Sequence, residues 1–484
     1  MRRFAFVLLV LPLAGCLVGP DYRRPAVETP DTFNYAAADA RETANTAWWH
    51  QFEDPVLDDL IAEALANNKG VQIAAANVEQ AAAVLTQTRA PLYPQVGAQA
   101  TGAQQRATES GATPVPASVP NPQTSYQLLA GASWEIDLWG RIRRLSEAAR
   151  AGVLASDEAR RGVILSLVAS VANSYIQLRS LDEQLVIASR TLGTYGDSVK
   201  LFELQFEYGQ TSQMTVEQAR TQYETVAATI PQIEFQIAQT ENVISILLGR
   251  DPGPIPRGKS IEELTLPTVP AGIPSQVLEQ RPDVRQAEQN LIAANALIGA
   301  ARALYFPTIS LTGVFGQASA ELENLFKGAA RTWSYSGSIT GPIFTGGAIS
   351  GQVRQAEAGR NAALLTYEAA IQSAFADTET ALVAREKLTQ QLEAQGRLVT
   401  ASREYARLAQ LQYDGGVTPY FTVLQAEQQL FPAELNHVLY RGSLFASVVN
   451  IYKAIGGGWV VEAETLTEPT AEQGTAPAPP AVKP

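Results

Sequence analysis

The sequence predicts an α+β membrane protein made of two copies of one unit, each joining two β-strands to a long helical hairpin. Three observations predict it: a self-match at constant shift, two kinds of stretch that alternate with period two, and heptad seams in proline-free segments. Leu204 to Gln222 matches Leu411 to Gln429 at a shift of 207, with nine of nineteen positions identical, and a repeat of that period marks a duplicated structural unit. The register continues to Gly249/Gly456, and upstream a shift of 213 pairs Arg89-Ala90 with Arg302-Ala303 and Pro94 with Pro307. A Pro/Gly-rich stretch from Arg250 joins the copies.

Composition narrows the class. Among 484 residues, 36 Lys+Arg face 48 Asp+Glu, a net charge of −12, which opposes the basic face a nucleic-acid binder needs. Hydrophobic residues make up 46%, yet no run approaches the ~20 apolar residues of a spanning helix, so any spanning falls to strands. One Cys excludes a disulfide framework, and two His with two Met leave little for a metal cluster. No cofactor is expected.

At the N-terminus, Arg2-Arg3, the apolar Phe4 to Leu11 and the small Ala14-Gly15 read as a secretory signal over residues 1–15. Leu13-Ala14-Gly15-Cys16 resembles the bacterial lipobox, in which the Cys becomes the lipidated first residue of the mature chain. Signal removal leaves 34 basic against 48 acidic residues. Acyl chains on Cys16 would hold that end at a membrane surface, each buried methylene contributing about 0.8 kcal/mol. The proline-rich tail, residues 459–484, has no periodicity and is expected to be disordered.

In the first copy, residues 69 to 90 are Ala-rich and favour helix. Then Tyr126, Leu128, Ala130, Ala132, Trp134, Ile136 and Leu138 alternate with mostly polar neighbours, a strand with one greasy face. In the second, Trp333, Tyr335, Gly337, Ile339 and Ile343 alternate with Ser334, Ser336, Ser338 and Thr340. Weaker partners precede each, Val96-Ala98-Ala100 and Ile309-Leu311-Gly313-Phe315, and Tyr93, Trp139, Tyr305 and Phe344 stand near strand ends. About ten residues per strand with terminal aromatics suits a tilted transmembrane strand. A soluble sandwich would share the alternation, and the neighbouring helices weigh against it.

After Gly140 no proline occurs until Pro231, nor between Pro342 and Pro419. Ile164, Val171, Leu178, Leu185, Leu192, Val199 and Phe206 recur every seventh position, with Leu167, Leu181, Ala188, Tyr195 and Phe202 three residues on, a coiled-coil seam. Helix from Gly140 to Tyr208 would extend roughly 100 Å. A second seam from Val216 to Leu247 returns after a turn at Gly209. In the second copy Ile371, Leu392, Val399, Ala406 and Tyr413 hold register while Thr378 and Arg385 interrupt it. Four strands cannot close a barrel, and open edges in lipid cost several kcal/mol per unsatisfied group, so strands that span require oligomerisation. Two copies would supply eight strands and three would supply twelve.

These residues resemble the TolC-like outer-membrane efflux channels, in particular the NodT/OprM-type lipoproteins, over nearly the whole mature chain. The specific pieces are Cys16 to Tyr22; Trp48-Trp49 with Phe52, Asp54-Pro55 and Leu57; Trp134 to Arg141; and Arg281-Pro282-Asp283-Val284-Arg285. The resemblance implies a homotrimer with a 12-stranded transmembrane β-barrel continuous with a 12-helix periplasmic α-barrel, four strands and two long helical hairpins coming from each protomer. Its implied division is a lipidated N-terminal and equatorial segment over 16–68, a first repeat over 69–249, an equatorial linker over 250–281 and a second repeat over 282–458. It implies a passive exit duct in the outer membrane, with a periplasmic adaptor and an inner-membrane RND transporter as partners. A duct for type I protein secretion and a non-inserting periplasmic lipoprotein are the competing readings.

In that family the hairpin turns meet the adaptor and form the constriction that opens. By position these are Tyr208, Gly209, Thr211 and Ser212 in the first copy, and Tyr413, Asp414, Gly415, Gly416, Val417 and Thr418 in the second. Relatives carry carboxylates just after the second turn, where this chain has Thr422 and Gln425, so a charged ring at that level is not expected; Asp414 and Glu217 are the nearest acids.

Other signals fail physical tests. Gly253 to Ser260 fits the phosphate-loop pattern by letter, but Pro254 and Pro256 have no N–H to offer a phosphate. His437 falls on a helical seam without a nucleophile motif, where a hydrogen-bonded seam residue is expected, and His50 stands alone beside Trp48-Trp49. Asp137 with Glu135 could suggest paired carboxylates, but the two are not expected to share a substrate. No enzymatic activity is expected.

Overall fold

The computed structural model describes residues 17–26, 47–108, 110, 116, 118–269 and 280–456. Cys16, the signal segment 1–15 and the tail 459–484 lie outside them. Among the described residues no helix is long and apolar enough to cross a membrane. Contacts divide the chain into two compact units, one formed by Met1–Ala26, Asn77–Ser156 and Gln286–Glu368, the other by Val27–Ala76, Asp157–Arg285 and Ala369–Pro484.

The first unit holds a four-stranded antiparallel sheet in the order β1 (Gln95–Gln105), β2 (Gln123–Ile136), β3 (Thr308–Ser319), β4 (Arg331–Thr340). The β2/β3 ladder, from Tyr126↔Ser319 to Ile136↔Ile309, joins the two copies of the repeat. Because side chains alternate across a strand, register decides what each face carries. Val96 pairs with Ala132, Ala132 with Gly313 and Gly313 with Tyr335; Ala130 pairs with Phe315, and Phe315 with Trp333. All of these occupy one face. The opposite face carries Gln95 and Ser133, Ser133 and Thr312, Thr312 and Ser336, with Oγ to Oγ distances of 2.8 Å for Ser310–Ser338 and Thr312–Ser336. Among the described residues nothing covers the apolar face: Val96 is 77% exposed, Trp333 65%, Tyr335 81% and Ile339 72%. Ile343, expected to continue the β4 alternation, falls beyond its end at Thr340, because Pro342 cannot donate to a ladder.

The strand ends are fastened below. Trp139 donates from Nε1 to the Pro307 carbonyl at 2.7 Å and stacks on Phe306. Asp137 accepts from the amides of Ile142 and Arg143 at the start of α3 (Arg141–Glu207), while Glu135 bonds Arg141. The two acids thus serve different groups at the start of one helix, Glu135 the Arg141 side chain and Asp137 the amides of Ile142 and Arg143. Val18 donates to the Trp139 carbonyl, and the buried Arg144 binds the Val18 carbonyl and Asp21.

The second unit is helical, with α1 (Pro55–Asn67), parts of α2 (Lys69–Arg89) and of α3, α4 (Gln213–Leu247), the start of α5 (Pro282–Ala303), most of α6 (Ala348–Asp414), and α7 (Tyr420–Ile455). The duplication repeats residue for residue in the long helices. Gly140 and Gly347 precede α3 and α6 with φ of 76° and 90°, both helices have 67 residues, and Gly249 and Gly456 follow the return helices at 74° and 77°. The seam residues Ile164, Val171 and Leu178 are fully buried, as are Ala188 and Phe202. Phe206, expected as the last seam residue, is 47% exposed, since a straight helix drifts about 20° per heptad away from a strict seven-residue repeat. Thr378, which interrupts the second seam, is buried with its hydroxyl donating to the Ala374 carbonyl.

Each remaining sequence motif has a local task here. Pro55 opens α1 behind its N-cap Asp54, and Trp48 stacks on Tyr452 of α7 at 5.1 Å. Asp54 has no exposed surface; it accepts from Val56 N, Lys259 N and the Tyr175 hydroxyl. Burial, reinforced by that bond to Asp54, pushes the Tyr175 hydroxyl pKa up, so it stays a donor. Arg281 donates to the Ala454 carbonyl in the last turn of α7 and pairs with Asp283 and Asp377, a cation at the negative end of a helix.

Candidate functional site

The turns that close the two hairpins are built alike. In the first, Gly209 takes φ 70°, its N–H reaches the Phe206 carbonyl at 2.9 Å and Gln210 N reaches Gln205 at 2.8 Å. In the second, Gly416 takes φ 70°, its N–H reaches Tyr413 at 2.9 Å and Val417 N reaches Gln412 at 2.8 Å. These are Schellman-type ends, which need a residue without Cβ at the left-handed position. Return helices start at matching positions after Ser212, whose hydroxyl caps the Thr215 amide, and Pro419.

The two turns differ in how they are held. Tyr208 is 72% exposed, and Gly209 and Ser212 are exposed, with Thr211 half-buried. Around the second turn Tyr413 and Tyr420 close on Phe202 of the first hairpin, with ring centroids 4.1 Å apart for Phe202–Tyr420 and 5.4 Å for Tyr413–Tyr420. Val199, Ala409, Val423 and Ala426 belong to that cluster, together with Val216 and Ala219 of α4. Asp414, Gly415, Gly416 and Val417 remain exposed, while Thr418 is half-buried.

Thr422 is half-buried and Gln425 exposed. Of the nearest acids, Asp414 accepts from Gln410 at 2.8 Å, and Glu217 pairs with Arg220, which also reaches Glu203 at 2.7 Å. The acids near the turns are therefore engaged locally, in keeping with solvated helix-end charges. Sequence reasoning missed Tyr420 and Phe202 as parts of this site; an aromatic directly after the Pro419 cap was the available signal.

The phosphate-loop look-alike is accounted for by its own hydrogen bonds. Gly258 N donates to the Tyr175 hydroxyl, Lys259 N to Asp54, and Ser260 N to Glu263. Three consecutive amides that would cradle a phosphate are spent inside the fold, and a Cβ at Gly258 would collide with Asp54. Both histidine expectations need correction. His50 is not alone: its Nδ1 lies 2.9 Å from Asp58, one helical turn into α1. His437 packs beside Gly396 with its Nδ1 buried and without a hydrogen-bond partner, and burial lowers its pKa, which favours the neutral ring.

Comparison with known proteins places this architecture. The family model described as "Outer membrane efflux protein" matches residues 60–250 and 273–457. The chain is 36% identical over 462 residues to the probable efflux pump outer membrane protein TtgC of Pseudomonas putida, covering 92% of this chain and 93% of that one. It is 37% identical over 460 residues to the solvent efflux pump outer membrane protein SrpC of the same species, covering 93% and 97%. The crystal structure of the open state of the Neisseria gonorrhoeae MtrE outer membrane channel superposes with a TM-score of 0.82 at 34% identity, covering 92% and 98%. With both copies of the repeat matched and likeness this continuous along the chain, the protein belongs to the outer membrane efflux protein family.

Proposed function

We propose that three copies of this outer-membrane efflux protein close their sheets into one twelve-stranded barrel, continued into the periplasm by a tube of twelve helices, and that the assembly is the passive exit duct of a tripartite pump. The single observation that carries this reading is the β1 to β4 sheet. Its aromatic-rich face is uncovered, its opposite face is a surface of hydroxyls and amides, and β1 and β4 are unpaired edges. In water such a sheet is an aggregation hazard, whereas in lipid it is half of a solution, because closure with further copies satisfies the edges and leaves the polar face inward.

In this reading Cys16 carries the lipid anchor. The residues that follow it support the assignment, because Val18 and Pro20 are fixed by Trp139, Arg144 and Asn295 at the base of the sheet. The turn residues Tyr208, Gly209, Thr211, Ser212 and Tyr413 to Thr418, with Thr422 and Gln425 just behind, form the periplasmic end that meets an adaptor and constricts the duct. The inner-membrane partner is an RND transporter, which supplies the energy and selects the solute.

Val417, 75% exposed, is the position from which to test this. Val417→Cys with a cleavable cross-linker in cells, followed by mass spectrometry, is expected to capture an adaptor together with an RND transporter. Capture of an ABC transporter moves the reading to protein secretion, and a freely labelled cysteine that captures neither contradicts the docking role.

A further inference from the structure

Glu427 lies on α7 between Tyr420 and Glu434, seven residues from each, and so shares a helix face with both. It lines a cavity of about 480 Å³ together with Arg190 and Tyr195 of α3, Arg403 of α6 and Glu434. Glu434 is satisfied from both sides, by Arg190 at 2.7 Å and Arg403 at 2.6 Å. Glu427 is not: its Oε2 is buried and has no hydrogen-bond partner. The phenols that face it, Tyr195 and Tyr420, are themselves buried and protonated, their pKa values raised first by burial, and no residue of α4 lines the cavity.

The duplication supplies a control. At the shift of 207, Glu427 corresponds to Arg220, an exposed residue paired with Glu203 and Glu217. The hairpin scaffold therefore does not require a half-buried acid with an unpartnered oxygen at this position; only the copy whose turn is tied to the other hairpin carries one. A carboxyl without a partner is tolerated in such a place in its neutral form, since ionising it there forfeits hydration with no compensating bond.

We propose that Glu427 is a proton-operated latch, whose neutral form lets α7 pack against α3 behind the second turn and whose ionised form loosens that packing and frees the turn end of the hairpin. The inference rests on reading the turns as the end of the duct that opens.

Burial raises the Glu427 pKa from 4.5 to about 7. The sign follows from linkage. A carboxyl whose packed-state value is raised favours the packed state fully below its ordinary value, and that contribution is lost as pH rises through the packed-state value. The window is thus from 4.5 to about 7. Between pH 6 and 8 the ratio of loosened to packed hairpin is expected to rise about tenfold from this one group.

The test is hydrogen exchange on the full-length channel in lipid nanodiscs, with protection corrected for intrinsic exchange, across residues 421–435. Wild-type protection is expected to fall about tenfold from pH 6 to 8, while Glu427→Gln, which mimics the neutral acid, stays flat. Residues 214–228 of the first hairpin are expected to stay flat in both. Should the Gln variant fail to assemble, Glu427→Met serves in its place. A flat wild type, or an equal fall in the variants, overturns the latch. A flat response in a channel whose Val417→Cys still captures an adaptor removes the latch alone. A tenfold fall without capture upholds the latch and removes the docking reading.

Discussion

Asp54 shows what single residues do in this chain. It has no exposed surface and accepts from Val56 N, Lys259 N and the Tyr175 hydroxyl. Bonds to a charged group are worth about 1.5–3 kcal/mol each and leave donors stranded when removed, so Asp54→Ala is expected to destabilise the helical unit by about 3 kcal/mol or more in urea unfolding followed by circular dichroism. Tyr175→Phe, which removes one bond and keeps the ring, is expected to cost about 1–2 kcal/mol. Equal stability in both variants would mean that the loop at Gly258 to Ser260 is not held by Asp54. At the turns, Gly209→Ala and Gly416→Ala each force a side chain to φ 70° at a cost of about 1–2 kcal/mol, expected as lost exchange protection confined to the adjoining helix ends. The Asp54-Pro55 cap was legible as a motif, but its partners were not, because Tyr175 and Lys259 lie 121 and 205 residues away and hydrogen bonds at such separations leave no periodic trace. His50 and Asp58 were missed for another reason: the pair spans the junction of a short 3-10 turn and α1, where no single helical spacing applies.

Among the elements, legibility followed period. The strands were readable because one face is predominantly apolar, and the 67-residue helices because their seams recur every seven residues without proline. The heptad reading failed at Phe206 and the alternation at Ile343, in each case at an element's end, where drift or a proline breaks the period. The aromatic cluster of Phe202, Tyr413 and Tyr420 joins two hairpins, and Glu427 faces a third helix; contacts between elements have no sequence period at all. The sheet makes a sharper prediction than stability alone, because neighbouring residues of β4 should answer oppositely. Tyr335 stands on the apolar face and Ser336 on the polar one, where it bonds Thr312. Tyr335→Arg near mid-strand is expected to cost about 2–4 kcal/mol in lipid and to reduce the heat-resistant assembled form on semi-native gels. Ser336→Arg is expected to leave assembly intact and narrow the conductance. Equal tolerance at the two positions would argue that the sheet is not bounded by lipid on one side.

At the scale of the molecule, the chain carries both a sheet with two free edges and long hairpins that end in matched turns. Among the described residues the sheet has no core on its apolar side, and β1 and β4 are its unpaired outer strands. Closure by copies resolves both at once. Under the proposed closure the polar face, with its Ser310–Ser338 and Thr312–Ser336 ladder, would line a passage. With Thr422 and Gln425 neutral behind the second turn, that passage is expected to discriminate weakly between cations and anions, read as a reversal potential near zero in a salt gradient; a strong cation preference abolished by Asp414→Asn would assign the selectivity to the turn. The measurement that bears most directly on the central claim is single-channel recording of the purified full-length protein in a planar bilayer, with its mass determined in the same preparation. Discrete conductance steps from a particle of three chains are expected. A stable particle that inserts without conducting, or a protein that does not enter the bilayer at all, would contradict that claim.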